Sequence, residues 1–146
     1  MALGGFACAH NGNLTNTHSV KKRLVESGSI FQTSSDTEII LQLVARSNKK
    51  KLIDKLIDTL NQIKGAYSLV ILTNKKLIGV RDPFGIRPLV LGDKDGSPVL
   101  ASETCALDMI GAKYVREIEN GEIVVITDKG IAVSYTHLRA HETEEN

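Results

Sequence analysis

Residues 9–16 read AHNGNLTN, and the reading of this stretch decides the fold. It follows a short apolar run, ALGGFACA at residues 2–9, with the length and composition of a buried strand. Polar residues arrive at once: His10, Asn11, Gly12 and Asn13. A helical pattern then runs from Asn16 to Ser27, with Val20, Leu24 and Val25 on one side and Lys21, Lys22 and Arg23 elsewhere. So abrupt a passage from strand to helix has two explanations. Asn-Gly is among the commonest turn dipeptides, and the dipeptide alone favours a turn. Alternatively, an Asn side-chain amide and a Gly backbone N–H converge on one point. In a dry site such a pair stabilises the oxyanion of an acyl-transfer intermediate, and loss of one donor typically costs ~3 kcal/mol of barrier. Glycine suits the second position because its backbone approaches a ligand closely.

Outward from this stretch, Gly28 is placed to end the first helix, and SIFQT, residues 29–33, reads as a short strand or extended link. A second helix is predicted over Ser35–Arg46, opened by a capping box of Ser35 and Glu38. A third covers Lys51–Ile63, with Leu52, Ile53, Leu56, Ile57, Leu60 and Ile63 in one stripe. After Gly65 the period changes. AYSLVILT, KLIGVRD, RPLVLGD, PVLASE, YVREI, GEIVVIT and GIAVSY are short β-type runs, and TCALDMIGA is a one- or two-turn helix. Turns are expected at residues 74–76, 93–96, 120–121 and 128–130. A strand, three helices and many antiparallel strands make an α+β layered domain.

The 146 residues suffice for one domain with a core. A net charge of +1 gives no field that favours nucleic acid or an anionic membrane, so neither is an expected partner. Lys49-Lys50-Lys51 reads as a solvated turn. The chain has no apolar run of membrane-spanning length and no signal-peptide pattern at its start. Two cysteines, Cys8 and Cys105, form no disulfide framework, which fits a cytoplasmic protein.

Three further groups invite chemistry. Asp36 lies in the first turn of a helix, where the dipole favours a carboxylate; it could bind a substrate ammonium or simply serve capping. Cys8 and His10 leave one face of a strand, as a nucleophile–base pair would, although a buried thiol and a hydrogen-bonded imidazole explain them better. Arg81, Asp82 and Arg87, in RDPFGIRPL, flank a rigid turn-rich link and read first as structural.

Taken together, AHNGNLTN, SIFQTSSDTEI, GAYSLVI, RDPFGIRPLVLG and ASETCALDMIGA, in order over residues 9–132, resemble the class II glutamine amidotransferase domain of amidophosphoribosyltransferases. The related glucosamine-6-phosphate synthase type fits less well, because GNLTN and the full RDPFGIRPL look like the purine enzymes. The resemblance implies an N-terminal nucleophile hydrolase fold, an αββα four-layer sandwich, here incomplete at the N-terminus. It implies a cysteine thiolate that attacks the glutamine side-chain amide, and ammonia that displaces pyrophosphate from phosphoribosyl pyrophosphate to give 5-phosphoribosylamine in purine biosynthesis. It assigns Asn11 and Gly12 to the oxyanion hole and Asp36 to the glutamine α-amino group. Cys105 matches a ligand of a 4Fe–4S cluster found in one subtype. The resemblance implies magnesium and that cluster for the longer enzyme, a homo-oligomer, and no cofactor held by these residues alone.

Residues 1–132 carry the likeness; residues 133–146 do not, and VSYTHLRAHET at 133–143 resembles a translated sequencing adapter. His137, Arg139, His141 and Glu142 there have no metal-ligand spacing. The family's nucleophilic cysteine and carboxylate-binding arginine segment are expected ahead of residue 1, and its phosphoribosyltransferase domain beyond residue 132. A non-catalytic piece is therefore the competing reading of the chain. A polypeptide of these 146 residues is expected to release no ammonia from glutamine, whereas one restored with a cysteine-initiated segment does. Ammonia release that disappears on Cys8→Ser would instead make Cys8 the nucleophile.

Overall fold

A computed structural model of the chain describes residues 5–136. The elements are β1 (Phe6–Leu14), α1 (Thr17–Glu26), α2 (Asp36–Arg46), α3 (Leu52–Leu60), β2 (Gly65–Thr73), β3 (Leu77–Arg81), β4 (Val90–Lys94), β5 (Ser97–Ala101), α4 (Thr104–Ile110), β6 (Lys113–Glu117), β7 (Glu122–Thr127) and β8 (Gly130–Tyr135). Residues 29–33 form a link with no strand.

Local chemistry sets the helix ends. Gly28, at positive φ, closes α1, with its N–H on Val25 and that of Ser29 on Leu24, so the last carbonyls are satisfied. Ser35 caps α2 by accepting from the Thr37 N–H at 3.2 Å. The predicted capping box opens into a wider clasp. The Glu38 carboxylate passes over Ser35 and takes the N–H groups of Gln32 and Thr33, at 2.9 and 2.8 Å. The extended link offers these donors, and the carboxylate orders it.

The strands form two antiparallel sheets, one in the order β1-β2-β3-β7-β8 and one in the order β5-β4-β6. Alternation along the strands builds the layers. Tyr67, Leu69 and Ile71 of β2, Ile78 and Val80 of β3, and Ile123 and Val125 of β7 pack against α1, α2 and α3. The opposite faces of the same strands give Val70, Val124 and Ile126, which meet Leu91 of the smaller sheet and Leu89 just before it. Val90, the alternate residue of β4, turns the other way onto Leu107 and Ala112, so α4 covers the outer face. The result is helices, sheet, sheet and helix, the four-layer αββα sandwich of the N-terminal nucleophile hydrolases.

β8 crosses the expected boundary at residue 132, and its residues up to Tyr135 pair with β7. The remainder of that stretch, with His137, Arg139, His141 and Glu142, lies outside the described residues.

The closest backbone approach is between β1 and β2. A Cβ on Gly65, at φ +127°, would lie 2.4 Å from the Asn13 carbonyl oxygen. Gly130 has nearly the same φ, +126°, but open space around it. Gly130→Ala is therefore expected to lose stability only through added conformational strain, about 1–3 kcal/mol. Gly65→Ala loses that and the β1–β2 approach as well. Urea unfolding of the two variants should show the larger loss at Gly65.

Candidate active site

The strand β1 does not stop at Asn11. It runs through the Asn-Gly dipeptide to Leu14, with Asn11 opposite Ser68, Gly12 opposite Tyr67 and Leu14 opposite Gly65. The turn expected there is absent, and Asn11 does not end the strand. Local preference yields because Gly12, at φ +139°, keeps the chain extended in a conformation an L side chain rarely adopts. A Cβ at Gly12 would lie 2.1 Å from the Ala66 carbonyl oxygen and 2.9 Å from the Tyr67 Cα. Glycine is thus required by backbone contact with β2, before any ligand is considered.

Among the described strands β1 pairs only with β2, so its other edge is open. The Leu14 N–H leaves on that open side and donates to Asp36 Oδ2 at 3.3 Å. Backbone groups alternate along an antiparallel strand, so the Gly12 N–H, two residues earlier, emerges on the same side. The Asn11 side chain is exposed and alternates with the half-buried His10 and Gly12. The structure therefore places a backbone N–H and the carboxylate of Asp36 on the open edge of β1, with the Asn11 side chain on the exposed face of the same strand. Gly12 and Leu14 are separated by two strand residues, about 6.7 Å. That span is comparable with the distance from the α-nitrogen to the side-chain carbonyl oxygen of an extended glutamine. Asp36 is the first residue of α2, with Glu38 in the same turn, so the helix N-terminus supports its negative charge.

Cys8 and His10 share a face, as their spacing requires, but they make a poor nucleophile pair. Burial pushes the Cys8 thiol up to about 11, which leaves almost no thiolate near neutral pH. The Nε2 of His10 is buried without a hydrogen-bond partner. Burial lowers the imidazole below 6.5; the Asp36 carboxylate opposes that shift and Arg87 reinforces it. The His10 ring is therefore neutral around pH 7.

Arg81 and Asp82 are structural, and they do not pair with each other. Arg81 donates to the carbonyls of Gly85, Arg87 and Ile118, at 2.8, 3.0 and 2.7 Å, and meets Glu117 at 3.2 Å. Asp82 is fully buried and accepts from the backbone N–H groups of Tyr67, Phe84, Ile86 and Arg87. Sequence reasoning missed Tyr67, which sits between Gly12 and Asp82. GAYSLVI offered only the signal of an aromatic residue early in a strand.

Cys105 is exposed in the first turn of α4, and Cys8 faces the helix layer from β1. Among the described residues no three His, Cys, Asp or Glu side chains are grouped so as to hold a metal ion. The donor set here does not fit an iron–sulfur cluster or magnesium by itself, and Cys105 can supply at most one ligand. No helix among the described residues is long and apolar enough to cross a membrane.

The family described as "Glutamine amidotransferase domain" matches residues 1–109. The amidophosphoribosyltransferase of Rhizobium etli is 51% identical over 122 residues, covering 84% of this chain and 25% of its own length. The chloroplastic amidophosphoribosyltransferase 3 of Arabidopsis thaliana is 54% identical over 125 residues, covering 85% of this chain and 24% of its own. The solved structure of glutamine phosphoribosylpyrophosphate amidotransferase from B. subtilis, complexed with ADP and GMP, superposes with a TM-score of 0.91 at 45% identity. It covers 93% of this chain and 30% of that one. The chain thus spans about a quarter of the length of the relatives it matches.

Because His10 has a depressed pKa in the fold, protons bind the unfolded chain preferentially between the ordinary value, 6.5, and the folded one. Its contribution to stability is present above 6.5 and is lost as pH falls through that window. His10→Gln should flatten this part of the stability–pH curve, measured by urea unfolding between pH 7.5 and 5, roughly the range over which an imidazole titrates.

Proposed function

This chain belongs to the glutamine amidotransferase domain family, and we propose that the open edge of β1 is its glutamine-hydrolysing site within an amidophosphoribosyltransferase. The observation that carries the reading is the placement of the Gly12 N–H and the Asp36-bound Leu14 N–H on one open edge, two strand residues apart. In this reading Asp36 holds the α-ammonium of glutamine, and the side-chain carbonyl lies against Asn11 and Gly12. A cysteine thiolate attacks the amide carbon, and the carbonyl oxygen takes up negative charge. The Asn11 amide and the Gly12 N–H stabilise that oxyanion. Collapse of the intermediate expels ammonia and leaves a thioester, which water hydrolyses to glutamate. This reading gives that role neither to Cys8, a half-buried thiol in β1 pushed up to about 11, nor to Cys105, exposed in α4.

The acceptor of the ammonia, by the names of the relatives, is phosphoribosyl pyrophosphate, and the product 5-phosphoribosylamine belongs to purine biosynthesis. The transferase chemistry and its magnesium are assigned to a separate domain, the assembled enzyme to an oligomer, and its compartment to the cytoplasm. In the cluster-bearing subtype Cys105 would be one of the ligands.

The test is Asp36→Asn in the active amidotransferase that contains this domain. Removing the charge is expected to raise KM for glutamine by on the order of tenfold or more, since a charge-assisted bond contributes about 1.5–3 kcal/mol. Synthesis from added ammonia should stay near its original rate. Equal loss of both activities would make Asp36 a folding residue and remove it from the site.

A further inference from the structure

The Asn11–Gly12 edge depends on a residue that no substrate would touch. Gly12 makes no ladder bond to β2, because its own N–H faces the open side. Its place is set by its neighbours: Asn11 pairs with Ser68 and Asn13 with Ala66. Ala66 and Ser68 flank Tyr67, whose Cα would lie 2.9 Å from a Cβ on Gly12. The N–H and C=O of Tyr67 point the opposite way, toward β3. Its C=O accepts from the Asp82 N–H at 2.9 Å, as in a regular ladder. The reciprocal bond is not regular. The Asp82 carbonyl has turned away to accept from Gly85 and Gly121, and the Tyr67 N–H goes to the Asp82 carboxylate, Oδ2, at 3.3 Å. The side chain thus replaces a backbone carbonyl at the last rung of the sheet.

The same carboxylate holds the N–H groups of Phe84 at 3.0 Å, Ile86 at 3.1 Å and Arg87 at 3.4 Å, and it is fully buried. Four backbone donors on an unexposed anion fix its position from both sides. The carboxylate therefore ties the backbone of β2 at Tyr67 to the 83–87 loop, and the other side of that backbone carries the two residues that hold Asn11 and Asn13. We propose that Asp82 is a positioning residue of the glutaminase site. It fixes the Tyr67 rung and, through Ala66 and Ser68, the aim of the Asn11 and Gly12 donors. This rests on the oxyanion reading of Asn11 and Gly12. It extends that role to a carboxylate that is two strands away in the sheet and contributes no proton and no substrate contact.

The proposal is tested in the active amidotransferase that contains this domain, with glutamine and with ammonia as alternative nitrogen donors. Asp82→Asn keeps the shape but sets an NH2 group against donors, so at least one of the four N–H groups loses its partner. Glutamine-dependent kcat is expected to fall on the order of ten- to a hundredfold, the cost of small misplacement at a reacting centre. KM for glutamine should be little changed, because Asp36 is untouched. The ammonia-dependent rate serves as the reference for an intact fold and should hold. In the double variant Asp82→Asn/Asn11→Ala, the loss in kcat should be smaller than the product of the two single losses, since only the Gly12 donor is left to be misaimed. A parallel fall of glutamine- and ammonia-dependent rates, or fully additive losses in the double variant, would overturn the proposal. Unchanged glutamine-dependent kcat in Asn11→Ala would overturn the oxyanion reading itself and the proposal with it. If Asp82→Asn does not fold, Asp82→Glu, which keeps the charge but displaces it, is measured with the same outcomes.

Discussion

The chain crosses between its two sheets twice, and Arg81 and Asp82 hold both crossings. The first crossing leaves β3 and reaches β4 through residues 82–89; the second leaves β6 and reaches β7 through residues 118–121. Arg81 gathers carbonyls from both, those of Gly85 and Arg87 on one and Ile118 on the other. Asp82 gathers the N–H groups of the first, and its own carbonyl takes the Gly121 N–H of the second. Buried backbone groups without partners would each cost about 1–3 kcal/mol. One guanidinium and one carboxylate satisfy this whole group, so the two sheets can stack with irregular connections between them.

The stacking in turn explains the strands. β3 and β7 are covered on both faces, by helices on one side and by the smaller sheet on the other. Glycine occurs where the layers come closest: a Cβ on Gly79 would lie 2.8 Å from Leu100, and one on Gly92 2.7 Å from Leu107. β1, at the margin, is covered on one face only. Its odd residues, Ala7, Ala9, Asn11 and Asn13, are exposed, while its even residues pack toward the helices. A strand with a buried back, an exposed front and a free edge can hold backbone donors rigidly and still present them to a ligand. The covered strands, by contrast, have their backbone donors taken up within the sheet.

A second buried carboxylate shows the same economy of charge. Glu122, at the start of β7, takes a bidentate contact from Arg116 at 2.8 and 2.6 Å and the Glu119 N–H at 2.7 Å. The site edge is different: its carboxylate, Asp36, is only partly buried and is held by a single weak backbone contact. Carboxylates saturated with partners hold the frame, whereas Asp36 keeps spare acceptor capacity at the edge of β1.

By itself the sequence determined the elements and their order. The stripe of Leu52, Leu56 and Leu60, the Ser35 cap, the Gly28 stop and the alternating runs after Gly65 each state a local preference strong enough to survive folding. The resemblance picked out Asn11, Gly12 and Asp36, and in the fold Asn11 and Gly12 lie in β1 while Asp36 reaches the same strand through the Leu14 N–H. Only the tertiary structure decided which conformation Asn11 and Gly12 adopt. An Asn-Gly pair prefers a turn, and it becomes strand because β2, more than 50 positions away in the chain, supplies a backbone that only glycine can approach so closely. Asp36, in the first turn of α2, likewise takes its partner, the Leu14 N–H, from a strand 22 residues earlier. RDPFGIRPL suggested a charged link, but not that Arg81 would take carbonyls and Asp82 amides, since those choices depend on where two distant crossings meet. Local pattern fixes the pieces because it acts within a few residues; the site required contacts between residues that the sequence keeps far apart.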